Sequence, residues 1–267
     1  MSFFAIAAIL AYLIASGWCG LRLFQHPMVA QWVYPFDRWF GLCAVVIHLM
    51  CVGAAVWLAG GLALSFFSAV SFAACLMAGW FLISAMSKPV ESLGIVVFPL
   101  AACGLAVATL LPQRAGLPHA ASWGLNIHIL SSMLAYAILC LAAIQAFVLA
   151  IQDRQLRRHQ AGGFIRGLPP LQTMETLLFE LIGLGWIVLS IALIGGFAYL
   201  HDIFAQHLVH KSVLSVCAWF LFAGLLWGRW QCGWRGRTAI RWTWVGFVFL
   251  MVAYFGSKAV LLSLIHI

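Results

Sequence analysis

Charge is what this sequence has least of. Of 267 residues, 14 are Lys or Arg and 6 are Asp or Glu, against 65% hydrophobic residues and a mean hydropathy of +1.07. A soluble globular chain is excluded, because no interior of this size hides so much apolar surface. Lipid is the solvent the composition requires. Cysteine pairs are missing too: there are eight Cys, none forms C-x-x-C, and nearly all lie in apolar runs. Such thiols act as small hydrophobes, and no disulfide framework follows from them. The sequence also lacks an internal repeat, a disordered tail and a basic stretch ahead of its first apolar run. The last absence argues against a signal peptide, so the run at 3–24 is expected to be a retained helix. Residues 1–267 read as a single integral-membrane domain.

A bilayer core takes about 20 apolar residues per helix. Eight runs reach that length: 3–24, 40–60, 64–86, 92–111, 123–151, 177–200, 212–230 and 240–262. They predict an all-α, polytopic bundle of eight transmembrane helices. Gly60-Gly61 leaves little more than a turn between the second and third. Loops after odd-numbered helices hold eleven Lys and Arg, among them Arg38, Arg158 and Arg235. The other side holds three, Arg114, Lys211 and Lys258. Basic loops stay in the cytoplasm, so both termini are expected outside, in a bacterial inner membrane. The net charge of +8 then implies no nucleic-acid partner.

The longest cytoplasmic connection is 152–176. Its basic first half can sit against anionic headgroups. Gly162-Gly163 and Pro169-Pro170 break it, and Thr173 with Glu175 resembles a helix start. Snorkelling or capping accounts for Glu175 and Glu180 better than catalysis does. The last six residues, Leu262 to Ile267, spell the translated transposon end of common sequencing libraries. They are expected to be foreign to the protein, and His266 is discounted with them.

Nine histidines remain as candidate chemistry. His26, His119 and His159 fall in loops, where a solvated ring is the default. His48 lies inside helix two. His128 sits roughly 9 Å along helix five, if that helix starts near Ser122. The stretch "YLHDIFAQHLVHK", Tyr199 to Lys211, carries His201, His207 and His210 between helices six and seven. His128 and this trio share one shallow layer at the outer face. Ionisable groups inside membrane helices are costly and tend to be functional. Two imidazoles can hold haem iron from opposite faces. Against this, His48 or His128 can equally be a neutral ring bonded to a neighbouring helix, and the loop trio can be solvated. Asp202 is the one carboxylate in the layer and no Cys joins it, so structural zinc is a poor match.

From His210 onward, "HKSVLSVCAWFLFAGLLWGRWQCGWRGR" and then "VAYFGS" resemble the C-terminal part of the cytochrome c assembly family. These are membrane haem-handling proteins of the CcsA, CcmC and CcmF type. Lys211, Trp219, Gly233-Trp234-Arg235-Gly236-Arg237 and Tyr254-Phe255-Gly256 match its pattern. "NIHILSSMLAYA", Asn126 to Ala137, is similar to the family's helix that bears an outer-face haem-ligand His, and His128 falls on that position. "PPLQTMETLLF" before helix six fits as well. The resemblance covers helices five to eight closely and one to four loosely. It is nearest to the eight-helix YpjD and HemX-like branch. The family's Trp-rich haem platform is missing. "WGRW", Trp227 to Trp230, is a fragment of it at the cytoplasmic end of helix seven, where an aromatic belt explains it. Trp227 stands where haem exporters carry a transmembrane His.

The resemblance implies a non-catalytic membrane factor that binds b-type haem without covalent attachment. It would support cytochrome c assembly or haem metabolism. His128 is the first ligand, His201 its preferred partner, and His207, His210 and His48 are stand-ins. Implied partners are the lipid bilayer, haem and other assembly or membrane proteins. A second reading is a scaffold or regulator on the same fold that binds no haem. A third is a small transporter with His48 on its pathway, though inverted repeats and paired broken helices are absent. No residue beyond the histidines suits a ligation enzyme.

Overall fold

The computed structural model describes residues 3–24, 36–58, 61, 65–88, 90–111, 123–158, 167–199 and 206–256. Eight α-helices run through them: α1 (Phe3–Phe24), α2 (Phe36–Leu58), α3 (Phe66–Ser87), α4 (Gly94–Leu110), α5 (Trp123–Arg157), α6 (Leu171–Tyr199), α7 (Gln206–Cys232) and α8 (Arg237–Met251). A 3-10 turn, Glu91–Leu93, leads into α4, and a π-turn, Val252–Gly256, continues α8. No strand occurs among the described residues. The protein is an all-α, polytopic membrane bundle. Among the described residues, seven helices are long and apolar enough to cross a bilayer. The described part of α8 has 15 residues before its π-turn, and the rest of the 240–262 run lies outside the described residues.

Three helices extend well past their hydropathy runs, while α3 and α4 start two residues inside theirs, at Phe66 and Gly94. α6 starts at Leu171 rather than 177, α7 at Gln206 rather than 212, and α5 continues to Arg157. Hydropathy marks the stretch that lipid must cover. The helix goes on into water with Gln, Asp and Arg, which keep good helix propensity or cap its ends. At 35 residues, α5 is roughly 52 Å long, well beyond a hydrocarbon core of about 30 Å.

The Cα packing divides the chain into two compact units, Met1–Ala121 with Arg154–Pro170, and Ser122–Asp153 with Leu171–Ile267. In the first, α1 packs on α2 and α4, and α3 packs on α4 and α2. Small residues let these backbones approach: Ala5, Ala8, Ala15 and Ala44 are fully buried. Pro99 lies inside α4 and cannot donate to the carbonyl one turn back, at Ile95. Ser16 of α1 donates to that carbonyl instead, at 3.2 Å.

His48 occupies the middle of this unit and is completely buried. The Tyr12 hydroxyl lies 3.2 Å from its Nδ1 and the Ser71 hydroxyl 2.8 Å from its Nε2. Both ring nitrogens are thus engaged, tying α1, α2 and α3 together. At the ends of α1 and α2, Arg22 bridges Asp37 at 3.2 Å and Glu91 at 3.3 Å, and Arg38 reaches Glu91 at 2.9 Å.

In the second unit α7 packs against both α6 and α8. Trp186 and Trp219 stack at 5.2 Å, and the Trp219 indole donates to Ser190 at 2.8 Å. Membrane helix–helix hydrogen bonds average about 0.6 kcal/mol and reach about 1.7. Tyr12→Phe should therefore lower stability within that range, by thermal unfolding in detergent. His48→Leu strands two hydroxyls and should cost more, about 1–3 kcal/mol.

Candidate functional site

α5 begins at Trp123, which puts His128 in its second turn. The ring faces α6, where Gly195 and Gly196 leave room for it. A Cβ built on Gly196 would stand 3.0 Å from Cε1 and 3.2 Å from Nδ1 of His128, and one on Gly195 would stand 3.5 Å from its Cβ. Two adjacent glycines therefore form a flat patch for the imidazole. His128 Nδ1 lies 2.7 Å from the Ala192 carbonyl oxygen. A carbonyl oxygen only accepts, so Nδ1 carries the proton and donates it. The neutral tautomer with that proton has its lone pair on Nε2. Below it, the Ser132 hydroxyl donates to the His128 carbonyl at 2.6 Å.

Beside the ring lies a half-open cavity of 240 Å³, lined by His128, Leu189, Phe197, Lys211 and Tyr254 among others. Tyr136 also borders it, its hydroxyl donating to the Leu250 carbonyl at 3.1 Å. Most of the walls are apolar. The chemistry on offer is one basic nitrogen, one ammonium and a few hydroxyls. Among the described residues, no group of three His, Cys, Asp or Glu is placed to hold a bare metal ion.

The other end of α6 carries a second polar constellation. Glu175 is buried, accepting from the Gly236 backbone N–H at 2.6 Å and from Arg235 at 3.1 Å. Gly236 is the N-cap of α8 and has φ +53°, a left-handed conformation open to glycine. Glu175 therefore caps α8 from a different helix and puts its negative charge at the positive end of that helix dipole. Its role is capping, as one of the two sequence readings has it, but the helix it caps is not its own. Around it, Arg229 donates to the Trp234 carbonyl at 3.3 Å, and Arg237 pairs with Asp153 at 3.4 Å. Trp234 packs directly over Gly228.

Of the sequence candidates, His128 and Lys211 meet at the cavity, while His48 belongs to the first unit. His201 lies outside the described residues. His207 and His210 sit on the helical backbone that opens α7, and their side chains are outside the described set. His26, His119, His159, Asp202 and the segment Leu262 to Ile267 are outside it as well. Sequence reasoning missed the Ala192 carbonyl and the Gly195-Gly196 patch. The glycine pair itself was the available signal, since glycine inside a helix marks a close approach.

The profile of the Cytochrome C assembly protein family matches residues 39–265. The chain belongs to that family. The match takes in α2 to α8, a wider span than the motifs of α5 to α8 indicate. The chain is 37% identical to Inner membrane protein YpjD of Escherichia coli K12 over 165 residues. That alignment covers 62% of this chain and 62% of the relative's length. It is 31% identical over 199 residues to an Azospirillum brasilense protein named Uncharacterized 28.8 kDa protein in nifR3-like 5'region, covering 72% of each. It is also 31% identical over 98 residues to Cytochrome c biogenesis protein CcsA of Gloeobacter violaceus, covering 36% of this chain and 29% of that one. No solved structure matches.

The capping interaction has a direct test. Glu175→Ala leaves the Gly236 N–H and Arg235 without their acceptor, which should cost about 1–3 kcal/mol. Hydrogen exchange should speed up at residues 233–238 while the amides around His128 stay protected. Unchanged exchange at that turn would refute the clamp.

Proposed function

We propose that this protein is a haem-handling factor of the bacterial inner membrane, supporting cytochrome c assembly or haem metabolism, with b-type haem held non-covalently on His128 Nε2. One observation carries the reading: the 2.7 Å hydrogen bond from Nδ1 to the Ala192 carbonyl. Metal-ligating histidines almost always donate their other ring N–H in this way, which fixes the tautomer and raises the basicity of the ligating nitrogen. Its place on a helix long and apolar enough to span a membrane adds weight, since an imidazole there is costly without a purpose. Family membership supplies the haem context.

The cavity suits an amphipathic macrocycle. Leu189, Leu193 and Phe197 offer apolar contact, and Lys211 a positive charge. At 240 Å³ it is smaller than the roughly 300–1,000 Å³ of most small-molecule pockets. A macrocycle bound there would fill it only in part. When bound, haem supplies the iron chemistry, and the protein supplies ligand, orientation and an apolar slot. His201 is the preferred second ligand because it follows α6 directly, and sites on regular elements hold geometry better than sites on loops. His207 and His210 are the stand-ins. His48 ranks last, since ligation would break one of its two hydrogen bonds.

We place eight helices across the membrane with both termini outside, on the strength of eleven basic residues against three. The relative named an inner membrane protein supports the location. A periplasm-active reporter fused at Arg158 should be silent. Activity there would put His128 on the wrong side.

Absorption spectra of the detergent-purified protein, oxidised and reduced, test the central claim. A Soret band is expected in the wild type and in His159→Ala. In His128→Ala it should vanish or shift. Gly196→Ala crowds the ring by a few tenths of an ångström and should shift the band without abolishing it. Absence of a band from the wild type favours the haem-free scaffold.

A further inference from the structure

The His128 cavity holds an imbalance that ligation of iron does not explain. Lys211 lines it, and none of the described residues that line it is Asp or Glu. No ion pair of Lys211 occurs among the described residues. An ammonium in an apolar membrane cavity is expensive without a counter-charge. Ser215, one turn along α7 on the same face, adds a hydroxyl to the same wall. The basic end of the cavity is therefore built for an oxyanion, whereas the walls of Leu189, Leu193 and Phe197 are built for a hydrocarbon.

We propose that Lys211 is the carboxylate anchor of this site. It takes an acid group of an amphipathic ligand whose apolar body fills the cavity. The inference rests on the haem reading, in which that acid is a haem propionate, and it adds a polarity to the site. The acidic edge of the ligand lies toward the start of α7, and its apolar edge lies away from it. Charge-assisted hydrogen bonds to a carboxylate contribute more than neutral ones, about 1.5–3 kcal/mol each, or at least roughly tenfold in affinity.

Iron-free protoporphyrin IX and its dimethyl ester separate this anchor from iron ligation. The full chain, purified in neutral detergent, is titrated with each and followed by porphyrin fluorescence. Wild type should bind the diacid at least roughly tenfold more tightly than the diester. Lys211→Met should lose that preference, and Lys211→Arg should keep it. The anchor is overturned if Lys211→Met discriminates like the wild type, or if the wild type does not discriminate. It is equally overturned if Lys211→Arg fails like Lys211→Met, which would mean that shape and not charge is read. Loss of wild-type preference in nanodiscs containing phosphatidylglycerol would assign Lys211 to a lipid headgroup instead. Should haemin give the same spectrum in wild type and His128→Ala while the diacid preference persists, the ligand assignment fails and the anchor stands.

Discussion

In a hydrocarbon solvent every backbone polar group must find its partner inside the protein, and the rest of this structure depends on that constraint. Helices satisfy it by default, which is why no strand appears among the described residues. The informative places are those where a helix falls short. Pro99 leaves the Ile95 carbonyl without its intrahelical donor, and Ser16 reaches across from α1 to supply one. Near the end of α8 the backbone passes into a π-turn, and Tyr136 donates to the Leu250 carbonyl just before it. The hydrogen bond from His128 to the Ala192 carbonyl also crosses between helices, although α6 is unbroken there. Each couples two helices through a backbone oxygen, so helix register is set by chemistry as well as by packing.

Charge follows the complementary rule. Four of the acidic residues, Asp37, Glu91, Asp153 and Glu175, sit at or near helix ends, where desolvation costs least, and each described pair binds separate elements. Asp37 and Glu91 hold Arg22 and Arg38, while Glu175 and Asp153 hold Arg235 and Arg237. Glu175 has the more demanding task. It is buried, whereas Arg235 is largely exposed, so the ion pair itself contributes little in water. The shorter contact to the Gly236 N–H does more, since it satisfies a helix terminus that has no side-chain cap of its own. The Gly-Trp-Arg-Gly-Arg turn is thus a capped corner, and its two positive-φ glycines, Gly233 and Gly236, are the residues that permit the bend.

The helices were legible in the sequence because apolar runs are the direct imprint of lipid. Their ends were less so. Leu171, Gln206 and Arg157 extend α6, α7 and α5 past the runs with residues that hydropathy ignores but helix propensity favours. His128 was legible because an imidazole in a membrane helix stands out against its surroundings. Its tautomer was not, because the partner is a carbonyl that every residue owns. Glu175 was half legible: a carboxylate at a helix start suggested capping, yet sequence proximity pointed to its own helix rather than to one sixty residues away.

His48 and His128 show why burial alone does not make a ligand. Both are imidazoles in membrane helices, and by cost alone His48, completely buried, is the more conspicuous. Its two nitrogens are consumed by Tyr12 and Ser71, so the ring is a cross-brace that has spent its valence on neighbouring helices. His128 spends one nitrogen on Ala192 and keeps the other. The glycine pair opposite makes that economy geometrically possible, because it brings the ring close enough to α6 to reach a carbonyl with Nδ1. A side chain at Gly196 would press the ring away from α6 by a few tenths of an ångström, whereas a methyl group at Gly195 would meet only the His128 Cβ at ordinary contact distance. The candidate site is therefore as much a property of α6, which contributes no polar side chain to the ring, as of the histidine on α5.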